Sequence, residues 1–365
     1  MEPSTIPSTI WPTIDIELKH APKLTTSALV RVFTLFSLGM ISLIANVAIL
    51  VHLVKTKRLR RTSNYAIYSL LLHLSIADLL VTIFCMFGEA AWSLTVQWIA
   101  GEQACKLVKF FQMFALYLST YVLVLIGIDR WVAIKYPIRS LDMVKRINRL
   151  LVLAYILSII ISLPQYHIFT VSRGPFIEEF YQCVTYGAYS AAWQEQLYTT
   201  FTLLFMFILP LGILSITYAS TFRTIADSEK LFQQIDTFRH QNDEPNNRQR
   251  LINRAKAKSL KISVAIIAAF IICWTPYYVL MMIFMFTSTD EEFGNNLLSA
   301  IFFFGMSNSS INPIIYGWFS LSPQRKRKGK MRIRYNHNNS SIIRFASIQH
   351  SRNKKTSDID VSILQ

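Results

Sequence analysis

The residues able to do chemistry in this 365-residue chain stand in costly places. Asp78 lies in the middle of the apolar run "LSIADLLVT". Asn46, Ser119, Asn308, Ser309 and Asn312 lie inside other apolar runs. A carboxylate surrounded by hydrocarbon needs a proton or a cation. Hydroxyls and amides gathered around it could hold either, and a sodium ion on Asp78, with Ser119, Asn308 and Asn312, is the expected occupant. The plainer use of such groups is interhelical hydrogen bonding, and the two uses are compatible. A second constellation is the adjacent pair Asp129-Arg130, which ends the run "VLVLIGIDRWVAIKYP". On a soluble helix it would be a minor surface salt bridge. At the inner boundary of a membrane it can restrain Arg130 until something releases it. Glu89, near the end of another apolar run, is a third group in need of a partner.

Other chemistries lack their residues. The spans hold only scattered histidines such as His52 and His73. They show neither a metal-ligand spacing nor a nucleophile beside its base, so no enzyme and no catalytic residue is expected. The run "LLSAIFFFGMSNSSINPIIYGWF" contains no Lys for a retinal Schiff base. One central acid without an internal repeat argues against a transporter.

The elements that must position these groups are membrane spans. The chain is 52% hydrophobic and 16% charged, where a soluble domain carries about 25% charged residues. Seven runs reach the roughly 20 apolar residues that cross the hydrocarbon core: 29–54, 65–91, 102–135, 146–169, 195–223, 255–286 and 293–318. The net charge of +16 is concentrated between them, as in "KTKRLRR", "RAKAKSLK" and "QRKRKGK". Because these bases flank bilayer spans, they exclude a nucleic-acid role and mark the cytoplasmic side. The opposite loops carry Glu178, Glu179, Glu195, Asp290, Glu291 and Glu292. The N-terminus is therefore outside and the C-terminus inside. The first residues lack the pattern of a cleavable signal peptide.

The organisation expected is an extracellular segment 1–28, a bundle 29–318, a short amphipathic helix 319–335 on the inner leaflet, and a disordered tail 336–365. In the outer loop between spans 4 and 5, Arg173-Gly174-Pro175 reads as a turn between two extended runs. Cys105 and Cys183 lie on the same outer face of a secretory-pathway protein and are expected to pair, pinning this hairpin to span 3. Pro164, Pro210, Pro276 and Pro313 mark possible kinks in spans 4 to 7.

Taken together these residues resemble the rhodopsin-like G-protein-coupled receptors. The resemblance is carried, in order, by Asn46, "LSIADLL", "DRW" in place of Asp-Arg-Tyr, Pro210 with Tyr218, "CWTPYY" and "NPIIY". Span 4 departs from the pattern, with Tyr155 where a Trp is usual. Within that family, "GEAAWSLTVQWIAGEQACK" and "CWTPYYVL" look like the gonadotropin-releasing-hormone receptor superfamily. "FFQMFALYLSTYVLVLIGIDRWVAIKYPIRSL" looks like its arthropod members, the adipokinetic hormone, corazonin and adipokinetic hormone/corazonin-related peptide receptors. Gln112, where relatives carry Lys or Arg, favours the corazonin or corazonin-related branch.

The resemblance implies a plasma-membrane, multi-pass receptor for a small secreted, amidated peptide. Its implied partners are a heterotrimeric G protein, Gq by analogy, and arrestin. A rhodopsin-like receptor for another peptide or small ligand is the alternative. Glu89, Trp92, Gln112, Tyr277, Tyr278 and Phe302 are the expected ligand contacts. Asp129, Arg130, Tyr218, Trp274, Pro276, Asn312, Pro313 and Tyr316 are the expected activation switch. Arg130 and Ile138 are expected at the G protein. Lys256 stands where many relatives place an acid that also restrains the arginine.

Overall fold

The computed structural model describes residues 19–59, 65–136, 143–238, 247–286, 301, 303–315 and 317. Phe302, Tyr316, Ile138, the helix expected at 319–335 and the tail lie outside them, as does the side chain of Lys256. Span 1 is one helix, Thr26–Leu59. Thr25 Oγ1 accepts the Ala28 amide at 3.2 Å and caps its first turn. Span 2 comprises Tyr65–Val81, a π-helical turn Thr82–Phe87, and Gly88–Thr95. Span 3 is Gly101–Lys135 and span 4 is Met143–Ile168. Span 5 comprises Ala192–Leu203, a second π turn Leu204–Ile208, and Leu209–Phe238. Span 6 is Asn247–Phe286, and residues 303–315 of the seventh run are helical. Six of the described helices are long and apolar enough to cross a bilayer. Spans 5 and 6 run further at their inner ends than hydrophobicity alone indicates, because polar helix continues beyond the apolar stretch.

Span 3 is the most buried of the six and forms the axis of the bundle. Around its inner half pack Leu70, Leu74, Leu118, Leu123, Ile147, Leu214 and Ile266. Around its outer half pack Met86, Tyr117, Phe270, Trp274, Tyr278 and Met306. The helices continue through Pro164 and Pro276. At Pro210 the consequence is visible: the ring cannot donate to the preceding turn, and the π turn ends two residues before it. Tyr121 of span 3 donates to the Phe205 carbonyl in that turn at 3.4 Å. The π turn in span 2 contains no proline and was not foreseen.

The expected hairpin is present, with β1 at Thr170–Arg173 antiparallel to β2 at Tyr181–Val184 and Val171 opposite Cys183. Cys105 and Cys183 are bonded, with Cα atoms 5.7 Å apart. Glu102 in the first turn of span 3 adds a second clamp by accepting the Val171 amide at 2.7 Å and the Thr170 hydroxyl at 3.2 Å. The segment before span 1 is tied to the same hairpin. Lys19 pairs with Phe176, and Glu178 accepts the Ala21 amide at 2.7 Å.

Candidate functional site

The inner switch begins with a restrained arginine. Asp129, almost fully buried, receives Arg130 Nε at 3.0 Å and Arg130 Nη2 on the same oxygen. The next residue departs from the family pattern and has its own partner. Trp131 Nε1 donates to Ser220 Oγ of span 5 at 2.9 Å, and Lys135 lies 5.4 Å over the Trp131 ring. Tyr218 is buried close to Gly127, where spans 3 and 5 approach.

At mid-membrane, Asp78 is fully buried. Ser119 Oγ donates to its Oδ1 at 2.6 Å and Asn312 Nδ2 to its Oδ2 at 3.2 Å. Ser309 faces the same carboxyl. Asn46 is not part of this group. Its amide bonds to the Ser42 carbonyl at 3.0 Å and the Ser309 carbonyl at 3.1 Å, joining span 1 to span 7. Asn308 Oδ1 and Asn312 Oδ1 are buried without a hydrogen-bond partner among the described residues. The groups bonded to the Asp78 carboxyl are thus a hydroxyl of span 3 and an amide of span 7, which tie spans 2, 3 and 7 together at this depth.

Above Asp78, Trp274 is buried beside Tyr277 and Tyr278, with ring centroids 6.2 and 5.9 Å away. Tyr278 is only 2% exposed and stacks on Phe207 at 5.0 Å, so in this conformation its ring belongs to the packing. Pro276 lies within the helical turn that carries these aromatics, and Pro313 is buried in span 7 directly after Asn312.

The outer site joins spans 2 and 3. Gln112 Nε2 donates to Glu89 Oε1 at 2.8 Å and to the Phe84 carbonyl at 3.0 Å. Lys109 Nζ reaches the same Glu89 oxygen at 3.0 Å and lies 4.5 Å over the Trp92 ring. Trp92 Nε1 donates to Gln182 Oε1 at 2.9 Å, and Gln182 Nε2 donates to the Val96 carbonyl at 2.7 Å. Val96 has φ of 63°, a strained value for a β-branched residue, and that hydrogen bond helps to hold it. Gln182 therefore couples β2 and the disulfide beside it to span 2.

Glu89, Gln112 and Trp92 are thus brought together through Lys109 and the Glu89 carboxyl, while Tyr277 and Tyr278 lie in the aromatic stack around Trp274. Lys109 and Gln182 were not singled out from the sequence. Lys109 had a signal, since it lies three residues before Gln112 and shares its helix face. Gln182 had only its place beside Cys183. Tyr155, the departure in span 4, is bonded to His73 Nδ1 at 3.0 Å, so the substitution there has a polar partner in span 2.

Comparison with known proteins agrees with this architecture. Residues 45–316 match the 7 transmembrane receptor (rhodopsin family) model. The chain is 34% identical to a gonadotropin-releasing hormone receptor of Octopus vulgaris, over 83% of this chain and 74% of that one. It is 36% identical to the gonadotropin-releasing hormone receptor of Sus scrofa, over 83% and 92%. It is 32% identical to a gonadotropin-releasing hormone II receptor of Clarias gariepinus, over 83% and 79%. With its spans, its disulfide-pinned hairpin and its paired Asp129-Arg130, the chain is a multi-pass plasma-membrane receptor rather than an enzyme, and it belongs to the rhodopsin family of seven-transmembrane receptors, in the group that includes the gonadotropin-releasing hormone receptors.

Proposed function

We propose that this receptor responds to a short secreted peptide of the adipokinetic hormone, corazonin and gonadotropin-releasing hormone type, and signals through Gq and calcium release. The observation that supports it best is the outer cluster of Glu89, Gln112, Trp92 and Lys109 in a chain this similar to gonadotropin-releasing hormone receptors. Such a cluster offers hydrogen bonds and aromatic faces with little uncompensated charge, which suits a small peptide with blocked ends. The corazonin or corazonin-related branch is the preferred assignment. Phe302 completes the pocket from span 7.

In this proposal the peptide contacts Glu89, Gln112 and Trp92 and displaces the Tyr277–Tyr278–Trp274 stack. The inner end of span 6 then moves outward about Pro276. Asp129 releases Arg130, with Tyr218, Asn312, Pro313 and Tyr316 repacking around it. Arg130 and Ile138 dock into the G protein, and arrestin uses the same face later. Asp78 holds a sodium ion in the resting bundle with Ser119, Asn308 and Asn312. The segment 1–28 is extracellular, 319–335 forms an interfacial helix, and 336–365 is a cytoplasmic tail. The test is a calcium assay in transfected cells against synthetic corazonin, adipokinetic hormone, the related peptide and gonadotropin-releasing hormone. A response to one of the first three at nanomolar concentration is expected. Silence to all four, at verified surface expression, would overturn the proposal.

A further inference from the structure

The π turn Thr82–Phe87 divides span 2 into two α-helical pieces, and it has neighbours on two sides. Towards span 1, Thr82 Oγ1 donates to the Asp78 carbonyl and lies 2.7 Å from Ser42 Oγ. Phe87, the last residue of the turn, fills the space over Gly39, where a Cβ would lie 2.5 Å from its ring. Towards span 3, the turn meets one residue. Gln112 Nε2 donates to the Phe84 carbonyl at 3.0 Å and to Glu89 Oε1 at 2.8 Å, which uses both of its amide hydrogens. The Gln112 carbonyl accepts the Cys85 thiol at 3.7 Å. Two consecutive residues of the turn, Phe84 and Cys85, are therefore bonded to Gln112. Gln112 is 8% exposed, so these bonds are made away from water.

A π turn accommodates one residue more than the α-helix it interrupts. The sequence "TIFCMF" contains no proline to impose it. A donor from outside the helix on one of its carbonyls stabilises it, because a buried carbonyl without a good partner is costly. A return to α geometry with the same residues would turn everything beyond Phe87 by about 100° and advance it by about 1.5 Å. Glu89 would then leave Gln112 and Lys109, and Trp92 would leave Gln182. We propose that Gln112 is a positioning residue: by bonding the π turn from span 3 it fixes the rotation of the outer end of span 2, and so keeps Glu89 and Trp92 in the outer site. In this role Gln112 acts through those two side chains. The functional consequence rests on the peptide-receptor reading of the site, whereas the rotation of span 2 can be measured without any ligand.

The test uses full-length receptor in nanodiscs with nitroxides at Leu94→Cys, beyond the turn, and Leu163→Cys in span 4. Both positions are exposed. Cys85 and Cys273 are buried, and Cys105 is bonded to Cys183, so the introduced thiols take the label. The otherwise wild-type receptor should give one distance. Gln112→Leu, which removes the donor and keeps the bulk, should shift it by several ångströms. Deleting Ile83, whose side chain is exposed, removes the extra residue and leaves the outer piece in its present rotation without a π turn. In that background Gln112→Leu should no longer move the distance. Calcium responses to synthetic corazonin, adipokinetic hormone and the related peptide give the second readout. Gln112→Leu should lower potency about tenfold or more, and deletion of Ile83 should restore it. A direct ligand contact at Gln112 would lose potency in both backgrounds with the distance unmoved. A merely structural Gln112 would lower expression with the distance unmoved. Either result overturns the proposal, and an unmoved distance in Gln112→Leu does so alone. If Gln112→Leu fails to reach the surface, Gln112→Met reads the same distance. A wild-type receptor silent to every peptide would overturn the peptide reading, and the distance would still decide this inference.

Discussion

Trp274 packs so closely against Gly305 of span 7 that a Cβ on the glycine would sit 2.7 Å from the indole ring. Both residues are buried, so the added methyl has no free space to enter. Gly305→Ala should push Trp274 from its resting seat, at an overpacking cost of about 1–3 kcal/mol. If leaving that seat is part of activation, basal calcium signalling should rise several-fold. Ligand-free signalling at matched surface expression is the measurement. A basal level no higher than wild type would show that the contact with Gly305 does not restrain the switch.

The Trp131–Ser220 hydrogen bond is a second restraint, between the inner ends of spans 3 and 5. One such bond contributes about 0.5–1.5 kcal/mol net. Trp131→Phe and Ser220→Ala should each raise basal coupling by about two- to tenfold. The double variant should be no worse than the stronger single, since both remove one interaction. Additive effects in a double-mutant cycle would count against the pairing.

For Asp78, the expected outcome is a sodium effect. Agonist affinity in wild-type membranes should fall as sodium replaces a larger inert cation, because a resting-state ligand shifts the equilibrium away from the active bundle. Asp78→Asn should abolish the dependence, and Asn308→Ala should weaken it by removing one of the spare buried oxygens. Equal sodium sensitivity in all three proteins would leave Asp78 as interhelical glue held by Ser119 and Asn312.

The tie before span 1 has its own pH signature. The Ala21 amide, and then His20, hold the Glu178 carboxyl down at about 2. The folded value lies below the ordinary 4.5, so this contribution is complete above about pH 4.5 and is lost as pH falls from there towards 2. Hydrogen-exchange protection at Ala21 and Ile177, measured in nanodiscs against amides of the spans, should hold from pH 8 to about 4.5 and decline progressively from there towards pH 2. Glu178→Ala should remove it at neutral pH. Protection as strong at pH 2.5 as at pH 7 would place the tie elsewhere.

Much of this protein was legible before any contact was known. Apolar run length and the placement of basic blocks are local properties, and they determined the spans and their orientation. Cys105 and Cys183 paired as expected because topology put both on one face. Asp78 announced itself because a carboxylate inside hydrocarbon is rare enough to need partners, and Ser119 and Asn312 were among those expected. What the chain could not declare was which side chains meet across helices. That depends on how each helix is rotated about its axis, and the rotation is reset by features such as the π turn at Thr82–Phe87, which has no proline to signal it. Glu89 lies two residues beyond that turn, so its pairing with Lys109 and Gln112 was decided by tertiary structure. The same holds for Trp131 on Ser220 and Trp274 on Gly305. Each joins residues far apart in the chain, and each exists because two helices present those faces at one depth in the bundle.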